Sequence, residues 1–282
     1  MAILMLSTVG MADEAAATQR VCEAAPTSQP TTVPVTAPAL TAGNPQTDAI
    51  LDQLEAKGAV VNDITARLTW TYVDDIVEET RIRNARLWYR REIPNARFLI
   101  EFDETTVIDD IAEKTGHEWI GFSDGWSIEK KEATRSIIKR QWAAPGRNVD
   151  LFTIGKGPFP LPFGQRKADI LECMTVTRIP PSARDPDDTD HLLMIPKPDS
   201  EMARTYRRLD FYVDRNLGLP VRIRFQQKDD KTVTFDFGDI AINTNPPDSR
   251  FAVTEPRGYQ IELEPLPPEP ASDSTGKPDE TL

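Results

Sequence analysis

Along residues 64–72, apolar and polar positions alternate without a break. Ile64, Ala66, Leu68, Trp70 and Tyr72 take one parity, and Thr65, Arg67, Thr69 and Thr71 the other. A period of two sends the two sets to opposite faces of a strand, one buried and one wet. Phe98, Ile100 and Phe102 repeat the pattern. So do Val221, Ile223 and Phe225 against Arg222, Arg224 and Gln226, and Val233, Phe235 and Phe237 against Thr232, Thr234 and Asp236. Lys228-Asp229-Asp230-Lys231 and Asp214-Arg215-Asn216-Leu217-Gly218 separate such runs and predict hairpin turns. Further strands are expected around Ile82, Leu87, Trp119, Ile128, Ile137, Val176, Leu193, Phe211 and Ile261. The total is about ten or eleven strands.

Helical spacing is confined to three places. Ile50, Leu51 and Leu54 share one face of an opening helix. Thr47 can cap that helix, Asp48 sits near its positive end, and Gly58 can end it. Ala168, Leu171 and Met174 mark a second helical stretch near 165–174, and a short turn is expected near 200–205. Strands and helices do not alternate, so a parallel sheet is not expected. The predicted fold class is mainly β with few helices: a large, curved antiparallel sheet whose few helices cover one open face or mouth.

The ends read differently from this middle. All Phe, Trp and Tyr residues lie between Trp70 and Tyr259, and five of the 24 Pro fall in residues 13–46. Residues 13–46 and 266–282 lack the apolar area to offset their ordering entropy, and are expected to be a Pro/Thr-rich disordered linker and an acidic Pro-rich tail. Residues 47–265 then form a single domain. The apolar stretch 1–12 is too short to cross a bilayer, which takes about 20 residues. Gly10-Met11-Ala12 offers the small residues of a signal-peptidase site, but a basic start is missing. A truncated signal peptide is the expectation, with an untidy disordered N-terminus as the alternative.

Charge and motifs narrow the chemistry. Lys and Arg total 33 against 45 Asp and Glu, a net charge of −12, which argues against nucleic acid as the main partner. Two Cys and two His make a structural zinc site and a disulfide scaffold poor readings. Phosphate-binding, dinucleotide and hydrolase motifs are missing. His117 and His191 read as ordinary strand or turn residues. The acid pairs Asp74/Asp75, Asp109/Asp110, Asp187/Asp188 and Asp229/Asp230 read as solvated turns. Cys173 reads as a buried inert thiol, and its pairing with Cys22 in the linker is left open. The basic run from Arg81 to Arg91 reads as a solvated strand face with ion pairs, the alternative being a contact to anionic headgroups or an acidic protein patch. Between Leu151 and Gly164, Pro158, Pro160 and Pro162 force an extended loop carrying Phe159, Leu161 and Phe163. It is either ordinary loop packing or a stiff apolar lip over a cavity.

The order of the C-terminal motifs then matters. Leu209-Asp210-Phe211-Tyr212-Val213-Asp214 is followed by Gly218-Leu219-Pro220-Val221-Arg222-Ile223, by Thr234-Phe235-Asp236-Phe237-Gly238-Asp239-Ile240, and by Asn243, Phe251 and Pro256. This series resembles the outer-membrane lipoprotein carrier (LolA-like) family, as do the opening helix, the 64–72 strand and the turn Asp124-Gly125-Trp126. The resemblance implies an unclosed antiparallel half-barrel whose apolar concave face is covered by helices and holds acyl chains of lipids or lipoproteins in the periplasm. Departures are visible. The family's Gln on the first long strand is not evident, Ile128-Glu129-Lys130-Lys131 replaces a Tyr-Asp-Pro-like hairpin, and the family's lid-locking Arg is not assignable among Arg67, Arg81, Arg83 and Arg86.

The functional expectation is a non-catalytic carrier, exported to the periplasm or cell envelope. Its candidate apolar lining is Leu68, Trp70, Tyr72, Phe98, Ile100, Phe102, Trp119, Phe159, Leu161 and Phe163. Expected partners are lipid or lipoprotein acyl chains and envelope membrane proteins. A monomer is expected, with no cofactor, metal, nucleic acid or transmembrane segment. The alternatives are an envelope interaction or sensor module on the same scaffold and, further off, a hydrolase needing facing carboxylates or a His–carboxylate pair beside a polar cleft.

Overall fold

The computed structural model describes residues 44–144, 146–147, 154 and 164–266. The expectations for the N-terminal signal, most of the linker, the tail, Cys22 and the loop residues Phe159, Leu161 and Phe163 lie outside the described residues.

The opening helix α1 spans Pro45–Val60. Its N-cap is Asn44, whose side chain accepts from Gln46 N at 2.9 Å, and not Thr47. The reason lies elsewhere in the fold: Thr47 Oγ1 accepts the backbone N–H of Arg178 at 3.2 Å and so ties the helix to a strand. Gly58 does not stop the helix either. A Cβ there would lie 3.0 Å from Gly164 Cα, so the glycine permits close backbone approach rather than a left-handed turn.

Seven strands follow: β1 (Asp63–Asp74), β2 (Glu79–Arg90), β3 (Arg97–Ile108), β4 (Ile111–Lys114), β5 (Glu118–Ser123), β6 (Trp126–Lys131) and β7 (Ser136–Gln141). Then come α2 (Lys167–Cys173), β8 (Met174–Ile179), β9 (Thr189–Pro196), α3 (Met202–Thr205), β10 (Tyr206–Asp214), β11 (Pro220–Gln227), β12 (Lys231–Ile242) and β13 (Gln260–Glu264). The sequence reading missed β4, which is short, exposed on every residue and paired only with β3. Ile82 and Leu87 share one strand, β2.

All these strands belong to one 13-stranded sheet of order β13-β7-β6-β5-β3-β2-β1-β12-β11-β10-β9-β8, with β4 beside β3. The sheet is unclosed, an open half-barrel with edges β13 and β8. One feature corrects the expected antiparallel arrangement: β13 pairs parallel with β7. The chain leaves β12 in mid-sheet, crosses one face over residues 243–259, and reaches the far edge running in the same sense as β7.

Left-handed backbone explains the acid-rich turns. Asp109 and Asp110 both have positive φ between β3 and β4, as do Asp124 and Gly125 between β5 and β6 and Asp230 between β11 and β12. Tight hairpins need such angles, and Asp tolerates them better than most residues. At Gly125 (φ +81°) a Cβ would also sit 2.9 Å from Ala143 O.

Candidate functional site

The strand registers assemble two different faces. On the inner face, Leu68 lies opposite Ala85 of β2 and Phe237 of β12, and Trp70 lies opposite Arg83 and Phe235. The row continues through Ala85–Phe102, Leu87–Ile100 and Tyr89–Phe98, and then through Phe98–Phe122 and Ile100–Ile120. On the other side of β12 it runs through Phe235–Ile223 and Val233–Phe225 to Phe211, Leu209, Leu192 and Met194. Ile50, Leu51 and Leu54 of α1, Ile170 of α2 and Met202 of α3 pack onto the same surface, forming one apolar cluster.

The proposed lining residues divide accordingly. Leu68, Trp70, Tyr72, Phe98, Ile100 and Phe102 stand together on the inner face. Trp70 stacks on Tyr72 at 5.8 Å and meets Phe102 edge-on at 6.5 Å. Trp119 stands on the outer face, opposite Glu101, because β5 pairs Glu118, not Trp119, with Phe102. There Trp119 packs on a small cluster of Trp88, Leu99 and Phe251.

The cover of the inner face is fastened by polar contacts. Arg91 donates to Gly58 O at 2.6 Å and to Ala59 O at 2.9 Å, closing the carbonyls at the negative end of α1. Lys167, at the start of α2, holds Asp52 at 2.8 Å and Asp48 at 3.2 Å, and its backbone N–H donates to Glu55. None of the four arginines left open by the resemblance takes these terminal carbonyls. Arg67 pairs with Asp239, Arg81 with Glu79 and Arg83 with Glu118, while Arg86 is exposed. Arg91 was not identifiable from sequence, since its partners are backbone atoms.

The basic run is therefore not one solvated face. Arg81 and Arg83 point to one end of the inner face, Arg86 and Arg90 to the outer face, and Arg91 to the helix. Arg83 and Glu118 are both 7% exposed and form a short buried pair. The Arg83 guanidinium also lies over the Phe102 ring, 4.6 Å from its centroid. Burial pushes the Glu118 carboxyl above its ordinary range, against the pull of Arg83 and Lys131. Around this pair lies a cavity of about 230 Å³, lined by Trp70, Arg81, Arg83, Thr106, His117 and Lys131 among others.

The outer face is strapped by residues 243–259. Asp63 accepts from Thr244 N and Asn245 N, at 2.7 and 3.0 Å. Asp248 pairs with Arg90 at 2.6 Å and Arg97 at 3.1 Å, and both guanidiniums lie over the Phe251 ring. Beyond the strap is a groove of about 490 Å³ lined by Trp126, Ile128, Lys139, Val253 and Leu263 among others. A His–carboxylate pair is also present on this face. His191 Nε2 is 2.9 Å from Asp210, its other nitrogen is 3.9 Å from Asp185, and its ring stacks on Tyr212 at 4.4 Å. Both nitrogens thus face carboxylates, an arrangement that anchors the loop bearing Asp185. Cys173 Sγ lies 3.3 Å from Asp169 O, within α2. Among the described residues no group of His, Cys, Asp and Glu is placed to hold a metal ion, and no helix is long and apolar enough to cross a membrane.

These features define a class: an open half-barrel of mainly antiparallel strands, apolar within and closed by a helix latched at its ends. No family model matches the chain, and no curated protein matches it by sequence. Among solved structures, an uncharacterized conserved protein from Thermus thermophilus is similar at 11% identity, over 78% of this chain and 99% of that one, with a TM-score of 0.46. The MucA/MucB complex of Pseudomonas aeruginosa is similar at 12% identity, over 74% of this chain and 61% of that one, with a TM-score of 0.41. A putative outer membrane lipoprotein-sorting protein domain from Vibrio parahaemolyticus is similar at 13% identity, over 73% and 96%, with a TM-score of 0.36. Every score is below 0.5, and the class stands on the strand order and helix cover of this chain itself.

Proposed function

We propose that the protein is a non-catalytic carrier, working in the periplasm or at the cell envelope, that holds acyl chains of lipids or lipoproteins between the inner face and α1. The observation that carries this reading is the contrast between an uninterrupted apolar face and the polar fastening of its cover. Lifting α1 breaks the bonds made by Arg91, Lys167 and Thr47 and withdraws Ile50, Leu51 and Leu54 from the apolar cluster they share with the inner face. Each acyl CH₂ buried in exchange contributes about 0.8 kcal/mol. A chain bound this way is retained, yet can be passed to a membrane-protein partner without covalent chemistry. In this reading the protein is a monomer. Phe159, Leu161 and Phe163 are proposed as part of the lining, and Trp119 is left out of it.

A second reading has its own support. Ile64, Leu192, Leu209 and Phe211 are 0% exposed, so the inner face is already filled by the chain's own residues. An interaction or sensor module would then use the outer groove.

Native mass spectrometry of protein purified from a bacterial envelope separates the two. Stoichiometric lipid mass supports the carrier. Lipid-free protein that also fails to bind an apolar fluorescent probe overturns it in favour of the module.

A further inference from the structure

The apolar inner face ends at a built polar site. Trp70, Tyr72 and Phe102 are the rings at this end of the row, and Arg83, directly opposite Trp70, lies over Phe102. Arg83 uses its donors poorly. One nitrogen meets Glu118, the contacts to Asp103 O and Gly116 O are long at 3.4 and 3.5 Å, and Nε is buried. Among the described residues, Arg83 Nε and Glu118 Oε1 have no hydrogen-bond partner. An unmade hydrogen bond at a buried charged group is costly, so such an atom is a place where a ligand atom gains free energy. The cavity beside it, about 230 Å³, has room for a carboxylate or phosphate and a few waters. Its charged lining is Arg81, Arg83 and Lys131 against Glu118, in a protein of net charge −12. Glu79 and Glu129 flank it, paired with Arg81 and with Lys131 at 2.7 Å. Lys131 reaches Glu118 only at 3.8 Å.

We propose that this cavity receives the anionic oxygen headgroup, carboxylate or phosphate, of an amphiphile whose acyl chain lies along the inner face. The proposal rests on the carrier reading for the chain and on Arg83, Lys131 and the cavity for the headgroup. The Arg83 guanidinium and Lys131 Nζ donate to the anion, and Trp70 and Tyr72 mark the boundary between its chain and its head.

The test measures binding of palmitate, hexadecanol and inorganic phosphate, each titrated separately into the whole protein by isothermal titration calorimetry. Charge-assisted hydrogen bonds of this kind predict palmitate binding about tenfold tighter than hexadecanol. That preference shrinks in K131Q and disappears in the paired R83Q/E118Q variant, which leaves no buried charge unmatched. Equal affinity for acid and alcohol in the unmodified protein overturns the headgroup site and leaves the carrier reading intact. Binding of inorganic phosphate alone, lost in R83Q/E118Q, keeps the anion site and overturns the acyl carrier. A protein that binds none of the probes overturns both.

Discussion

The two faces of this sheet are built from the same strands, yet they solve burial differently. The inner face joins β1, β2, β3, β5 and β9–β12 into one apolar cluster closed by a helix. Among the described residues, the outer face keeps a small cluster around Trp88, Leu99 and Phe251, with arginines lying over rings and pairing with acids on the strap. The difference teaches where change is tolerable. A face held by apolar area loses much when one ring is removed. A face held by exposed ion pairs loses little per contact, because water competes for each charge.

The adjacent residues Phe98 and Leu99 test this most directly, since they point to opposite faces. Phe98→Ala should cost about 4 kcal/mol in urea unfolding, because a ring buried in a large cluster leaves a cavity the surroundings fill poorly. Arg83→Met should follow at about 3 kcal/mol, since it strands the buried Glu118 carboxylate, and Arg83→Met with Glu118→Leu should recover most of that loss. Leu99→Ala should cost about 2 kcal/mol, the low end for a buried Leu, because its small cluster beneath the strap can collapse. If Leu99→Ala proves as costly as Phe98→Ala, the outer face is a true second core.

Two weaker changes probe the fastenings. Arg91→Ala should lower global stability by only about 1 kcal/mol, because the side chain is solvated. It should nevertheless speed amide exchange across the last turn of α1 and the release of a bound fluorescent fatty acid. Unchanged exchange there would show that Arg91 is no latch. Asp248→Asn should have the smallest effect and a defined pH signature. The bonds from Arg90 and Arg97 hold the Asp248 carboxyl below its ordinary range, so its stabilisation is present at neutral pH and is lost as pH falls through that lowered value. Thermal melts of wild type and variant should therefore differ at neutral pH and converge in acid.

Much of the fold was legible because period-two alternation is a local property. It placed β1, β3, β11 and β12 and their inward parity, and the resemblance supplied the unclosed half-barrel. The same rule, applied to β5, would have separated Trp119 from the inner set: Ile120 and Phe122 share their parity with Glu118. Leu87-Trp88-Tyr89 and Phe98-Leu99-Ile100 are apolar at both parities, a local mark of strands covered on both faces that the alternation of Phe98, Ile100 and Phe102 alone did not reveal. Nothing local marked β4, whose four residues lack any apolar pattern, or the parallel register of β13, which depends on where a long crossing returns the chain.

By itself the sequence determined which residues are extended, which side chains share a face, and where the aspartate turns reverse the chain, because steric and hydrophobic preferences act over a few neighbours. Only the tertiary structure decided that Thr47 seals the edge of β8, that Gly58 meets Gly164, that Arg91 closes the helix, and that Arg83 and Glu118 meet beside Trp70. Those contacts join residues far apart in the chain. Their pairing is set by sheet order and burial, and residue type at one position carries no record of its partner.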